Sequence, residues 1–239
     1  MEVENNLLNY KKLKIIQNTD WFAFSLDSVL LANFVKINKN TKNILDLCTG
    51  NAPVPLILST KTNSKIVGVE LQKEIYDMAK KSITINKLDG KIELLNMDIK
   101  DVTNIYDTDT FDLITCNPPY FKINDKSKLN DSDIKTVARH EVHMNLSDVF
   151  KISKKLLKNN GSIAMVHRPE RLIEIIEEMK KNNIEPKRLQ FIYPKLNSEC
   201  NTILIEGTKN GNPGLKILSP LYVHDDNGNY LEEIKKMFE

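Results

Sequence analysis

From Asn43 onward, short apolar runs alternate with helical segments, and this alternation limits the possible folds more than any other feature. The runs have the length of buried strands, and the longer segments between them have helical periodicity. Such alternation with short loops predicts an α/β fold, a doubly wound, mostly parallel sheet with right-handed crossovers. The predicted strands cover 43–47, 65–69, 92–96, 111–116 and 162–166, and the predicted helices cover 53–59, 73–86, 146–157 and 171–181.

The residues before the first of these strands predict a small amino-terminal addition. Residues 11–24 alternate weakly and predict a hairpin with its turn near residues 18–20. Ser25 or Asp27 is then placed to cap a short helix over residues 28–35. If that helix covers a ligand pocket, its amino end brings the Asp27 carboxylate there, and plain helix capping is the other interpretation.

The residues after the fifth strand predict further strands without a crossover helix. Runs near 189–193 and 202–206 have no helix between them and predict an antiparallel hairpin at the sheet edge. A strand over 215–218 and a helix over 230–238 follow. We therefore predict a single domain over residues 1–239, with a hairpin and helix at about 10–36 and an extension at about 212–239.

Composition narrows the class of protein. The 239 residues are 41% hydrophobic and 28% charged, enough for one α/β domain with a substantial core. No apolar run approaches the roughly 18 residues of a membrane span, and residues 1–10 lack a signal pattern, so we expect a cytoplasmic protein without a membrane partner. Cys48, Cys116 and Cys200 have no metal-ligand spacing, so we expect no metal. The net charge of +2 does not by itself indicate a nucleic-acid partner. The sequence leaves the oligomeric state open and slightly favours a monomer.

The fourth predicted strand ends in Asn117-Pro118-Pro119-Tyr120, which indicates a type of chemistry. The prolines hold a stiff loop at the carboxyl end of the strand, where open α/β sheets bind ligands. An exocyclic or amide nitrogen is a poor nucleophile because its lone pair is delocalised. The Asn117 side-chain oxygen and the Pro118 carbonyl can accept its N–H groups and orient it, and Tyr120 can stack on its ring. A proline-rich turn with no such role is the plain alternative for so short a motif.

Three acidic residues follow the first three predicted strands. Asp46 ends the first strand, Glu70 the second and Asp98 the third, and Asn117 follows the fourth. Because the carboxyl ends of parallel strands meet at one edge, we expect these side chains to converge on one crevice. Gly50 allows a ligand to approach the backbone closely. Glu70 is placed to accept both hydroxyls of a ribose, and Asp98 is placed to accept from an adenine amino group.

This crevice favours a cofactor with a positive centre over a dinucleotide. A dinucleotide requires a glycine-rich loop for its pyrophosphate, whereas here Gly50 is followed by Asn51, Ala52 and Pro53, and Asp46 would repel a phosphate. S-adenosylmethionine carries a sulfonium and requires ribose and adenine acceptors but no phosphate cradle. We predict that it binds through Asp27, Asp46, Leu47, Cys48, Gly50, Asn51, Ala52, Glu70, Leu71, Asp98, Ile99 and Asn117.

Together these motifs resemble a known family. Asp46-x-x-x-Gly50, Glu70, Asp98 and Asn117-Pro-Pro-Tyr120 are similar to the motifs of class I S-adenosylmethionine-dependent amino-methyltransferases. The resemblance implies a Rossmann-like sheet and a catalytic loop formed by Asn117, Pro118, Pro119 and Tyr120. Ala52 departs from the family pattern, which has a second glycine in the cofactor loop. This departure puts the strength of cofactor binding in doubt, and we expect Ala52 to be tolerated.

One branch of that family is more similar than the others. Residues 24–32, residues 137–140 and Tyr230 resemble the bacterial tRNA adenine-N6 methyltransferases that modify the adenine 3′ of the anticodon in valine tRNA. The resemblance covers nearly the whole chain and implies tRNA as the partner. Basic and aromatic residues near the catalytic loop and later in the chain are candidates to hold the RNA on either side of an extruded base, although a surface lysine is more often only solvated. The candidates are Tyr120, Phe121, Lys122, Lys126, Lys128, Arg139, His140, Lys187, Arg188 and Lys195.

Several other activities are compatible with the same motifs. Methylation of a glutamine N5 in release factors would require a separate amino-terminal helical domain, and only 42 residues precede the first predicted strand. Methylation of guanine N2 in ribosomal RNA and of DNA adenine stay open, because the four-residue motif does not distinguish bases. A catalytically silent RNA-binding module is the alternative from a different class. The intact Asn117 and the three acids argue against it.

Overall fold

The computed structural model describes residues 1–7, 13–18, 25–118 and 145–238, which form a large sheet flanked by helices and a separate two-stranded hairpin. Short 3₁₀ helices lie at Ile99–Asn104, Pro169–Arg171 and Lys236–Phe238. The strands and α-helices, in chain order, are β1 (Glu2–Asn6), β2 (Lys14–Asn18), α1 (Leu26–Phe34), β3 (Asn43–Leu47), α2 (Pro53–Lys61), β4 (Lys65–Glu70), α3 (Lys73–Ile85), β5 (Ile92–Asn96), β6 (Phe111–Cys116), α4 (Leu146–Leu156), β7 (Leu157–His167), α5 (Leu172–Lys181), β8 (Ile184–Lys195), β9 (Thr202–Lys209), β10 (Lys216–Ile217), β11 (Leu221–His224) and α6 (Glu232–Lys235).

The large sheet has the strand order β10-β8-β9-β7-β6-β3-β4-β5, and β11 also pairs with β8. The paired strands among β3 to β7 all run parallel to one another, whereas β9 runs antiparallel to both β7 and β8. The chain moves outward from β3 through β4 to β5 and then returns to β6 on the other side of β3. This reversal is the switch point at which such sheets bind ligands. The predicted doubly wound, mostly parallel sheet with an antiparallel hairpin is confirmed.

Helices cover both faces of the sheet. On one face, α1 and α2 pack with strand residues such as Ile44 and Ile66, and on the other, α4 and α5 pack with residues such as Leu45 and Ile114. α2 buries Val54 to Leu58 around its whole circumference because α1 lies against its outer side. A helix covered on all sides has no need of an amphipathic pattern, which explains the apolar sequence of α2.

The amino-terminal hairpin lies earlier in the chain than the alternation predicted. Lys14–Asn18 pairs antiparallel with Glu2–Asn6, on its amino-terminal side. The prediction placed the turn near residues 18–20, and residues 19–24 lie outside the described part of the chain. The Asn86 amide donates to the Lys14 carbonyl and its oxygen accepts from the Lys14 N–H, so contacts to the end of α3 hold the strand in place. Such long-range contacts are not visible in a local pattern.

The carboxyl-terminal part is more extended than predicted. β8 and β9 are longer than the predicted strands, and β9 lies inside the sheet, between β7 and β8. Beyond them the structure adds β11, which the sequence did not predict, and the predicted last helix is reduced to α6 and a following 3₁₀ turn. Tyr230, before α6, stacks on the His224 ring at a centroid distance of 4.9 Å. Within the described ranges, no helix combines the length and the apolar character that crossing a membrane requires.

Candidate active site

The carboxyl edge of β3, β4 and β6 brings together three of the predicted site residues. Asp46 is the second-last residue of β3, Glu70 is the last residue of β4, and Asn117 directly follows β6. β3 lies between the other two strands, so adjacent ends are one strand spacing apart, about 4.8 Å. The edge therefore carries two carboxyl groups and one amide around the switch point of the sheet.

Asp46 is held by two hydroxyl groups. Its carboxylate is 1% exposed and accepts hydrogen bonds from the Thr49 Oγ1 and Thr115 Oγ1 hydroxyls, each at 2.5 Å. Thr115 is its direct neighbour on β6, and Gly68 is its neighbour on β4. Burial raises the pKa of Asp46 to about 7, although both hydroxyls oppose this shift. The carboxyl group therefore changes its charge near neutral pH.

Gly68 is required for this arrangement. A Cβ atom at position 68 would lie 2.8 Å from Thr49 Oγ1 and 2.9 Å from a methyl group of Leu94. Real Cβ atoms do not approach other atoms so closely, so the missing side chain leaves the space in which Thr49 reaches Asp46.

Glu70 connects the loops that follow β3 and β4. One carboxylate oxygen accepts from the Gly50 N–H at 3.0 Å, and the other accepts from the Gln72 N–H at 2.9 Å. Gly50 has φ +58°, in the left-handed region that glycine adopts without strain. Burial raises the pKa of Glu70, and the backbone N–H groups oppose the shift. These two hydrogen bonds therefore fix the orientation of the Glu70 carboxylate at the edge.

The loop after β3 contains the departure from the family pattern. Ala52 is fully buried and has φ +72°, a left-handed conformation that costs a residue other than glycine about 1–2 kcal/mol. Pro53 follows as the first residue of α2, where its fixed φ suits a helix start. The Asn51 amide donates to the Ile16 carbonyl, so this side chain ties the loop to β2. Ala52 therefore adopts the left-handed backbone conformation that glycine adopts most easily, although it is not a glycine.

The predicted adenine contacts lie at the ends of β4 and β5. Asp98 accepts from the Lys100 N–H at 2.9 Å and lies 3.4 Å from the Lys100 ammonium, so it caps the 3₁₀ helix that begins at Ile99. Ile99 is buried, whereas the Leu71 side chain is exposed beside Glu70. These residues place apolar side chains and a carboxylate near Glu70, the predicted acceptor of the ribose hydroxyls. A role in holding adenine stays a prediction.

Helix α1 reaches the site through Ser28. The Asn117 amide nitrogen donates to Ser28 Oγ at 3.0 Å, so this contact connects the first turn of α1 to the end of β6. Ser25 precedes the helix without a side-chain capping bond. Asp27 lies next to Ser28 in the first turn of α1, and its role toward a cofactor stays a prediction. Pro118 is buried, and Pro119, Tyr120, Phe121, Lys122, Lys126, Lys128, Arg139 and His140 lie outside the described residues.

Two cysteines contribute thiols to the floor of the crevice. Cys116 ends β6 and pairs in register with Leu47, a core residue, and Cys48 follows at once with φ +60°. A hydrogen bond with Cys116 and burial raise the pKa of the Cys48 thiol. A protonated thiol is a poor nucleophile, so Cys48 serves as a small, partly buried side chain beside the buried Cys116.

The three later candidates for RNA contact differ in what they can reach. Lys195 is exposed at the carboxyl end of β8, the edge that also carries Asn117. Lys187 lies toward the other end of β8 and donates to the Asn212 carbonyl at 2.9 Å. Arg188 is turned inward, where it pairs with Glu206 at 3.0 Å and covers the Phe34 ring at 4.3 Å. Its assignment to the RNA surface is therefore corrected, because its guanidinium is needed to neutralise a buried carboxylate.

Sequence reasoning missed several side chains that build the site. Ser28, Thr49 and Thr115 orient the predicted residues, and the Asn96 amide donates to the carbonyls of Glu70 and Leu71. Thr49 has a local signal, because it follows Asp46 by three residues in a loop. The contact between Thr115 and Asp46 has none, since it depends on which strands pair.

The carboxylates at this edge fit S-adenosylmethionine. Glu70 presents carboxylate oxygens already fixed by backbone N–H groups, and Asp46 adds a second acid. A pyrophosphate would need free N–H donors in the loop after β3. The Gly50 N–H of that loop donates to Glu70 instead, so the crevice is lined by carboxylates at this point. A cation such as a sulfonium or an ammonium is favoured in this crevice.

The sequence pattern of a family described as a methyltransferase domain matches residues 38–216. The chain belongs to this family. The match begins before β3 and ends in β10, so it includes every strand of the switch point. The carboxylates at this edge and the family both indicate S-adenosylmethionine as the cofactor of this methyltransferase.

Individual relatives share about a quarter of their residues with this chain, or fewer. The methyltransferase is 23% identical to a tRNA1(Val) (adenine(37)-N6)-methyltransferase from Cytophaga hutchinsonii, over 80% of this chain and 79% of the relative. It is also 23% identical to the protein of the same name from Shewanella woodyi, over 94% of each chain. Among solved structures, a predicted O-methyltransferase from Agrobacterium tumefaciens is similar, with a TM-score of 0.70, 18% identity, and coverage of 89% of this chain and 95% of the other. At that identity the structural similarity shows the fold.

Proposed function

We propose that this methyltransferase transfers a methyl group from S-adenosylmethionine to the exocyclic N6 of an adenine in tRNA, the adenine at position 37 of valine tRNA. The observation that carries the proposal is the position of Asn117, directly beside the acidic crevice and held by Ser28. The names of the relatives from Cytophaga hutchinsonii and Shewanella woodyi support the same substrate.

The hydrogen bond to Ser28 has a chemical consequence for Asn117. Because the amide nitrogen donates to Ser28 on α1, the acceptor role falls to the side-chain oxygen, which lies in the same amide plane. An oxygen in that position accepts an N–H from the target amine and orients its nitrogen toward the methyl donor. The Pro118 carbonyl and the Tyr120 ring complete the proposed contacts, as the motif predicts. In this mechanism the proton leaves to water after the methyl group has moved.

Other amines are the competing substrates. Guanine N2 in ribosomal RNA, adenine in DNA and a glutamine side chain each present an N–H that Asn117 can accept, and a silent RNA-binding module would bind tRNA without turnover. The competing enzymes would methylate their own substrates in place of tRNA. The silent module would bind cofactor or tRNA and leave both unchanged.

A direct assay tests the proposal. The protein is incubated with methyl-labelled S-adenosylmethionine and total tRNA from a strain lacking the enzyme, and the labelled nucleoside is mapped. We expect N6-methyladenosine at position 37 of valine tRNA, and no label in a transcript with guanosine at that position. Label in ribosomal RNA, in DNA or in protein, with none in tRNA, would contradict the proposal.

Ser28→Ala is expected to lower the methylation rate about tenfold, the equivalent of one hydrogen bond of about 1–1.5 kcal/mol. Without the hydroxyl, the Asn117 amide loses a hydrogen-bond partner that helps to orient it. Affinity for S-adenosylmethionine should change little. Ser59→Ala is the matched control, because its buried hydroxyl bonds within α2, at the Leu56 carbonyl. Single-turnover rates for both variants check this, and equal rates would exclude a role for Ser28.

Lys195→Ala is expected to weaken tRNA binding and to reduce the slope of log affinity against log salt by about one unit, as one phosphate contact requires. Lys195 is exposed at the edge that carries Asn117, whereas Lys187 lies toward the other end of the strand and is engaged with Asn212. Lys187→Ala is therefore the matched control. Binding measured at several salt concentrations checks the prediction, and identical slopes for the two variants would remove Lys195 from the RNA surface.

A further inference from the structure

Asp46 belongs to a row of residues that cross the sheet on one face. Gly68 and Thr115 are its register partners on the two neighbouring strands, and Ala164 follows on β7. The row continues to Glu206 on β9 and Arg188 on β8, which pair with each other. Among the four residues from Gly68 to Ala164 only Asp46 carries a charge, and it is 1% exposed. The Thr49 and Thr115 hydroxyls donate to different oxygens of the carboxylate, at 2.5 Å each. Both oxygens are thus held in place.

The groups around Asp46 do not supply a positive charge. From β4, the Glu70 carboxylate raises the pKa of Asp46, and from the end of β3 and from β6 come the Cys48 and Cys116 thiols. Within the residues that the structure describes, no lysine, arginine or histidine contributes to the field at Asp46. The two hydroxyls are therefore the groups that favour its ionised form.

We propose that Thr49 and Thr115 are positioning residues that keep Asp46 ionised in the cofactor-free protein, so that it attracts the cationic end of S-adenosylmethionine. The proposal rests on the cofactor and is independent of the base that is methylated. It assigns both threonines a role in cofactor affinity. Neither residue needs to touch the cofactor.

The proposal predicts a specific pH dependence. The ionised carboxylate binds a cation, so affinity for S-adenosylmethionine should be highest above neutral pH and should fall as the pH drops through the pKa of Asp46, about 7. A hydrogen bond to a charged group contributes about 1.5–3 kcal/mol, which corresponds to a pKa change of roughly one to two units. Removing one hydroxyl should therefore move the inflection to higher pH by about that amount. At neutral pH, where half of the wild-type Asp46 is ionised, the variant should bind about five- to fiftyfold more weakly.

The experiment measures cofactor affinity by calorimetry across a pH series for wild type, Thr115→Val, Thr115→Ser and Thr49→Val. The valine variants remove the hydroxyl with little change of shape, and the serine variant restores it. Thr60→Val is the matched control, because the Thr60 hydroxyl bonds to the Ile57 carbonyl within α2. The amino group of the cofactor also titrates, but it does so equally in every variant, so it cancels in the comparison.

A second measurement follows Asp46 itself. Carbon-13 NMR of the aspartate carboxyl groups in the cofactor-free protein, with Asp46→Asn to assign the signal, reports its titration directly. We expect Thr115→Val and Thr49→Val to titrate at higher pH, and Thr115→Ser and Thr60→Val to match the wild type. An unchanged Asp46 titration in Thr115→Val, or a wild-type inflection of affinity in Asp46→Asn, would overturn the proposal. If one valine variant does not fold, the other valine variant and Thr115→Ser decide the outcome.

Discussion

Asn117→Ala should reduce the single-turnover rate of methyl transfer about 100- to 1,000-fold, the loss typical of removing one oriented polar group from a reaction centre. The reason is that the amide oxygen, in a group oriented by the bond to Ser28, is proposed to contact the target nitrogen most strongly as that nitrogen changes geometry. Affinity for S-adenosylmethionine should stay close to that of the wild type, because Glu70 and Asp46 remain. Rapid-quench assays with saturating cofactor and calorimetry measure the two quantities separately.

Asn63→Ala is the matched control for Asn117. Asn63 is exposed in the loop before β4, at the opposite edge of the sheet, and the substitution is the same. Its rate should equal that of the wild type. If Asn117→Ala keeps the wild-type rate, or loses cofactor affinity as strongly as it loses rate, Asn117 does not act on the target amine as proposed.

Glu70→Ala should weaken S-adenosylmethionine binding about 10- to 150-fold, which corresponds to the 1.5–3 kcal/mol of hydrogen bonds to a charged group. The substitution removes the proposed acceptor of the ribose hydroxyls. It also releases the Gly50 and Gln72 N–H groups, which fix the loops after β3 and β4. Calorimetric titration with the cofactor gives the affinity, and a thermal unfolding curve shows whether the variant is folded.

Two further variants separate the contributions to the effect at Glu70. Glu70→Gln keeps one acceptor oxygen and should fall between the wild type and Glu70→Ala. Glu74→Ala removes an exposed carboxylate from the first turn of α3, close to the same edge, and should bind the cofactor normally. Wild-type affinity in Glu70→Ala would remove Glu70 from the cofactor site.

The local pattern was sufficient for the elements that surround the site. Each central strand is a short run whose residues are almost all buried, and each is bounded by loops, so its length and its end follow from a few neighbouring residues. Once parallel strands are inferred, their carboxyl ends must share an edge. This is why the sequence alone predicts that Asp46, Glu70 and Asn117 converge.

Arg188 shows where local reasoning failed. In sequence it is a basic residue beside Lys187, and it resembles a surface contact for RNA. In the structure it meets Glu206 across the β8–β9 pair and donates to the Phe34 carbonyl at the end of α1. Whether an arginine faces water or a buried carboxylate depends on the register of two strands and on a helix 154 residues away.

The sequence by itself determined the α/β class, the order of the central strands along the chain and the set of acids at their ends, because these depend on residues close together in the chain. Only the tertiary structure decided that β2 pairs with Glu2–Asn6, that Ser28 orients Asn117, and that Thr115 holds Asp46. These contacts join residues far apart in sequence, and they form only when the strands are paired in the correct register. The composition of the site is therefore local information, whereas the orientation and charge state of its groups are set by packing.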